Sequence, residues 1–109
     1  KGYFTVATGY CEKSLELDGK NFETMNRVAW LYAKKSSKLQ KAFELSSQTL
    51  KAFPKRPEFI DTLSEILYVQ GESEKAMEKI QEAIKLVPNN AYYKQQLWKF
   101  KNVKPKAPA

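Results

Sequence analysis

The chain has 109 residues, with 19 Lys plus Arg, 12 Asp plus Glu and no His, for a formal net charge of +7. That length holds one domain and excludes two cores with a catalytic cleft between them, while 42% hydrophobic and 28% charged residues sit near the averages of soluble globular chains. Zero His, one Cys and four Gly exclude the commonest general base and zinc ligand, a disulfide framework and a glycine-rich phosphate loop, so the expectation is a non-enzymatic segment with no metal and no cofactor.

Six helices are predicted in chain order. The first, at about 3–17, carries Ala7, Cys11 and Leu15 on one stripe, which makes Cys11 a buried, inert thiol. The second, 22–35, follows Asn21, a good N-cap, and buries Met25, Val28, Ala29 and Tyr32 before stopping at Ser36-Ser37. The third, 38–53, opens on the capping-box spacing Ser37-x-x-Gln40, carries Leu39, Ala42, Phe43, Ser46, Leu50 and Phe53, and ends at Pro54. The fourth, 57–70, starts at Pro57, shows Ile60, Leu63, Ser64 and Leu67, and ends at Gly71, a residue suited to a left-handed C-cap. In the fifth, 73–87, Ser73 is placed to cap, and Ala76, Met77, Ile80, Ala83, Ile84 and Val87 fall at helical spacing. The sixth, 90–101, follows Asn89-Asn90 and carries Lys94, Leu97 and Trp98. Residues 102–109 are rich in Pro, Lys and Ala and read as a disordered tail. No segment alternates with period two for long enough to be a strand, and no run approaches the roughly 18 apolar residues of a membrane span.

These elements repeat. Ala42-x3-Ser46…Leu50…Pro54 lies over Ala76-x3-Ile80…Ile84…Pro88 at an offset of 34, and Ala7-x3-Cys11…Leu15…Gly19 lies upstream at an offset of 35. Ile60-x2-Leu63-Ser64-x2-Leu67 matches Met25-x2-Val28-Ala29-x2-Tyr32, with one extra residue near Lys38 in the earlier copy. The run Ile60-x2-Leu63-Ser64-x2-Leu67…Gly71…Ala76-x3-Ile80…Ala83…Pro88 resembles a tetratricopeptide repeat, whose pattern is W-x2-L-G-x2-Y…A-x3-F…P over 34 residues. It departs at Ile60 for the Trp, Ser64 for the Gly, Ser46 and Cys11 at the bulky second-helix position, and Gly19 for the closing Pro.

The resemblance implies an all-α fold: an α-solenoid of antiparallel helix hairpins in a right-handed superhelical stack of about six helices. Residues 1–21 would be the second helix of a truncated repeat, 22–56 and 57–90 two repeats, 91–101 a closing helix and 102–109 the tail. The two helices of each repeat would approach closely at small residues, Ala29 facing Ala42 and Ser64 facing Ala76. One repeat cannot bury its own apolar face, so neighbours must cover it.

The resemblance also implies a protein-protein interaction scaffold, a fragment of a larger protein, in which the first helices of successive repeats line a concave groove for a peptide or partner protein. The matching positions are Glu23, Asn26, Trp30 and Ala33, then Glu58, Asp61, Glu65 and Tyr68, then Tyr92, Gln95 and Lys99. Trp30 and Tyr68 are the expected aromatic anchors. One subtype grips a free carboxylate with Lys, Asn and Arg; here those positions hold Asn26, Trp30, Thr62, Tyr92 and Gln96, so a carboxylate clamp is excluded. Asp61 and Glu65, four apart on one helical face, favour a basic or apolar segment.

Charge falls in blocks. Residues 34–56 hold Lys34, Lys35, Lys38, Lys41, Lys51, Lys55 and Arg56 against Glu44, residues 57–82 are net acidic, and residues 83–109 hold six Lys and no acid. Two alternatives follow: a structural or oligomerisation segment that positions an attached domain, and a basic accessory domain contacting an anionic partner, though with no motif for specific nucleic-acid reading. Tyr3, Phe4, Val6 and Tyr10 would lack a cover if the chain is cut from a longer one, which suggests a homodimer through the first helix. The segment is expected to be soluble, cytoplasmic or periplasmic.

Overall fold

A computed structural model describes residues 21–105, together with Gly9, Glu12 and Lys13. Among the described residues the chain is all-helical, with five helices and no strand: α1 (Phe22–Lys35), α2 (Leu39–Ala52), α3 (Pro57–Val69), α4 (Ser73–Leu86) and α5 (Ala91–Asn102). The helix count is therefore five rather than six. The additional helix expected at 3–17, with Cys11 and the uncovered residues Tyr3, Phe4, Val6 and Tyr10, lies outside the described residues, apart from Gly9, Glu12 and Lys13, which are helical.

The starts of α1 and α5 follow from their asparagines. The Asn21 Oδ1 accepts the Thr24 N–H at 3.1 Å, and the Asn90 Oδ1 accepts the Tyr93 N–H at 3.1 Å, each satisfying a donor the helix itself leaves open. Pro57 occupies the first turn of α3, where its missing N–H costs nothing. The two serine caps do not form. Ser73 lies one residue too late, inside the first turn of α4, and Glu72 stands at the cap without a side-chain bond. Lys38 rather than Ser37 precedes α2, and its left-handed backbone (φ 50°) separates Ser37 from the helix.

Both hairpin turns use the same backbone device. After α1 the Ser36 N–H reaches the Ala33 carbonyl and the Ser37 N–H the Tyr32 carbonyl, both at 3.0 Å. After α3 the Gly71 N–H reaches Tyr68 and the Glu72 N–H reaches Leu67, both at 2.9 Å. Each is a Schellman closure with one left-handed residue, Ser36 at φ 52° and Gly71 at φ 89°. The second left-handed residue, Lys38, absorbs the extra residue of the first hairpin.

Successive helices pack on one another, and in addition α1 packs on α3 and α3 on α5; among the described helices α1 comes close to neither α4 nor α5. The α1–α3 and α3–α5 pairs run parallel. Glu23 meets Arg56 near the two starts, and Lys34 meets Glu65 further along. Then Asp61 meets Gln96, Glu65 meets Lys99 and Tyr68 meets Val103. The separations between hydrogen-bonded partners run from 31 to 35 residues, close to the repeat period.

This places α3 between two cores. One gathers Met25, Val28, Ala29, Leu31, Tyr32 and Ala33 of α1 with Ala42 and Leu45 of α2 and Ile66 of α3. The other gathers Ile60, Leu63 and Leu67 of α3 with Ala76, Ile80 and Ala83 of α4 and Tyr93 and Phe100 of α5. Every residue of α3 from Phe59 to Val69 is consequently buried, which is the pattern of a helix covered on two sides. Ala29, Ala42, Ser64 and Ala76 are all completely inaccessible. At the start of α3, Arg56 lies over the Phe59 ring at 4.5 Å and bonds Glu23, while Phe53 packs edge-on against Phe22 and Phe59.

The C-terminal boundary also shifts. Helix α5 continues through Asn102, and the Val103 carbonyl accepts the Tyr68 hydroxyl at 2.9 Å, so the first residues assigned to a tail are held against α3.

Candidate functional site

The parallel helices α1, α3 and α5 bring most of the expected residues to one face, and the centre of that face is a polar layer. Asp61 and Glu65 lie one turn apart on α3, so their carboxylates point the same way. The Gln96 amide of α5 donates to both, at 3.0 Å to Asp61 Oδ1 and 3.0 Å to Glu65 Oε1. The Lys99 Nζ donates to Glu65 Oε1 at 2.8 Å, and the Lys34 Nζ of α1 stands 3.7 Å from Glu65 Oε2. The three helices are thus tied together through one carboxylate that is only 3% exposed.

Asp61 is treated differently from Glu65. It is buried and has the Gln96 amide but no lysine within ion-pair reach among the described residues. Burial pushes its carboxyl up to about 6 and the Glu65 charge adds to the rise; the Gln96 bond and the more distant Lys99 and Lys34 oppose it. Tyr92, 41% exposed, feels the same pair: burial raises its phenol first, and the Asp61 and Glu65 charges raise it further.

The aromatic members flank this layer. Trp30 is half-buried with the Lys34 Nζ 4.9 Å from its ring centroid, and the Lys99 Nζ is 5.0 Å from the Tyr68 ring. The Tyr68 ring also packs on Phe100 at 4.9 Å. Tyr68, Asp61 and Glu65 are buried rather than solvent-facing, because α5 crosses over them. The Asn26 Oδ1 is inaccessible and has no partner among the described residues.

Gln95 does not join the group. It is exposed, one residue or about 100° around the helix from Gln96, which takes its place against the carboxylates. Lys34 is the second participant absent from the expected set. Lys34 and Gln96 stand 31 residues before and after Glu65, near the repeat period, so setting the repeats side by side brings both close to it.

The layer contains no nucleophile activated by a base. It presents an undercompensated carboxylate, a phenol and an indole ring, with lysines already engaged with Glu65. No helix among the described residues is long and apolar enough to cross a membrane. No protein-family model matches the chain, and no curated protein matches its sequence.

Proposed function

We propose that this chain is a segment of a tetratricopeptide-like α-solenoid and works as a protein-protein interaction scaffold. On this reading α1–α2 and α3–α4 are successive repeats, α5 is the closing helix, and the shared face of α1, α3 and α5 receives a peptide or partner protein. The observation that carries the reading is the recurrence of cross-helix contacts at separations of 31 to 35 residues on parallel helices. Packing restricted to near neighbours in the chain supports it, since that is how repeat arrays bury their apolar faces.

The partner chemistry follows from the imbalance at Asp61. A basic side chain at the exposed rim of the layer would be drawn by the Asp61 charge beneath it, and the partly exposed Tyr92 and Trp30 offer aromatic surface to the segment that carries it. Affinity selection of a random peptide library on the immobilised chain tests this. The enriched peptides should share a basic centre with apolar flanks. Their binding should disappear in Trp30→Ala/Tyr92→Ala under conditions where circular dichroism shows the variant still folded. Failure to enrich any peptide, or enriched peptides indifferent to both substitutions, would overturn the reading.

A further inference from the structure

The repeat register exposes a second surface, opposite the one just described. In α1 the positions Met25, Val28, Ala29 and Tyr32 face the helix that completes the hairpin, and in α3 the corresponding positions are Ile60, Leu63, Ser64 and Leu67; all eight are buried. Thirty-four residues on from the α3 set, α5 carries Lys94, Leu97, Trp98 and Lys101. Here Lys94 and Lys101 are exposed, Leu97 is half-buried and Trp98 is 62% exposed. The small residue at the crossing point, Ala29 or Ser64, has become the most exposed large hydrophobic side chain among the described residues.

Two features of this face specify what it fits. First, its geometry is that of a helix-receiving face, since α1 and α3 each use the same register positions to hold a helix. Second, its charge has one sign. Lys94 and Lys101 lie two turns apart, roughly 10 Å, on either side of Trp98, and residues 83–109 contain no acid to pair them. Neither lysine has a carboxylate within ion-pair reach among the described residues. Leu86, Val87 and Val103, in the segments that flank α5 in the chain, are exposed as well. A face made only to meet water would carry polar residues throughout; a tryptophan at its centre adds apolar area that water does not favour.

We propose that the Lys94–Trp98–Lys101 face of α5 binds an acidic amphipathic helix of a partner protein. The partner's apolar stripe covers Trp98 and Leu97, and its carboxylates, spaced seven residues apart, meet Lys94 and Lys101. An anionic membrane or a nucleic acid would satisfy the lysines but would not use the helix-receiving register.

The test uses the 109-residue chain and a fluorescein-labelled synthetic helical peptide with Glu seven residues apart and Leu between them, read by anisotropy. Saturable binding is expected, weakening with added salt. Trp98→Ala and Lys94→Glu/Lys101→Glu should each weaken it by at least about tenfold, and Lys94→Gln/Lys101→Gln should weaken it less. All these positions are exposed, so circular-dichroism melts should match the parent. Trp30→Ala/Tyr92→Ala should leave this binding unchanged, which separates this surface from the concave face. The proposal is overturned by absence of saturable binding, or by equal binding of the same peptide with Lys in place of Glu. Tighter binding to phosphatidylglycerol vesicles or to single-stranded oligo(dT) at the same ionic strength overturns it too.

Discussion

Lys99 of α5 holds Glu65 of α3 at 2.8 Å across 34 residues of chain, and the same carboxylate takes Lys34 of α1 on its other oxygen at 3.7 Å. Glu65 is almost inaccessible, so these partners offset the cost of burying its carboxylate. Replacing Lys99 by Met leaves a buried carboxylate with the Gln96 amide and one longer, half-exposed pair. The expected loss is about 2–3 kcal/mol. Lys34→Met removes the weaker contact and should cost below about 1 kcal/mol. Urea titration of both variants checks the order, with the midpoint falling at an unchanged slope.

Asp61 sets a pH dependence with a defined sign. Its folded carboxyl, near 6, lies above the ordinary value of 3.8, so the folded form holds the proton more tightly than the unfolded form. The contribution is fully present below about pH 4, is lost as pH rises toward about 6, and is flat above that. Asp61→Asn keeps an acceptor for Gln96 without the charge. It should be more stable than the parent at neutral pH by up to about 2–3 kcal/mol, the difference shrinking toward zero in acid. Chemical denaturation of both proteins across that range checks it; a constant difference would show that Asp61 does not titrate in the window.

The two left-handed residues that close the Schellman turns, Gly71 and Ser36, should respond in opposite directions. A Cβ at Gly71 would meet nothing within 4 Å, so Gly71→Ala carries only the backbone cost of φ +89°, about 1 kcal/mol. Ser36 already bears that kind of cost at φ 52°. Ser36→Gly should therefore stabilise by up to about 1 kcal/mol. Thermal melts of the two variants should move down and up respectively.

Ala42 and Ala76 are completely buried at equivalent positions of the two hairpins. Enlarging either to Leu forces the paired helices apart or their neighbours off rotamer. Each should cost about 1–3 kcal/mol, and the costs should be similar because the environments repeat. Guanidinium unfolding of Ala42→Leu and Ala76→Leu makes the comparison; a large loss in one and none in the other would deny the equivalence.

Helix positions were legible because their signals are local. Asn21 and Asn90 cap through their own side chains, Pro57 opens α3, and Gly71 supplies its left-handed closure. The serine caps were misread because a shift of one residue moves a side chain from the cap into the first turn, and nothing local distinguishes Ser73 from Glu72 as the boundary. The candidate face was half legible. Asp61, Glu65 and Tyr68 share a side of α3 by spacing alone, but their burial depends on α5 lying across them, which is a tertiary fact. Gln96 and Lys34 were missed for the same reason: their role appears only when residues 31 apart are set side by side. Trp98 is the converse case. It stands in register with the buried Ala29 and Ser64, and it is open because no described helix covers α5 there.

The central claim is an open, parallel arrangement of α1, α3 and α5 rather than a closed bundle. A nuclear Overhauser map of the isotope-labelled chain tests it most directly. The account predicts cross-peaks from α3 to α5, including the Tyr68 and Phe100 rings and the Gln96 amide with Asp61, and from α1 to α3, with none from α1 to α5. Cross-peaks joining α1 to α5 would close the helices into a bundle and contradict it.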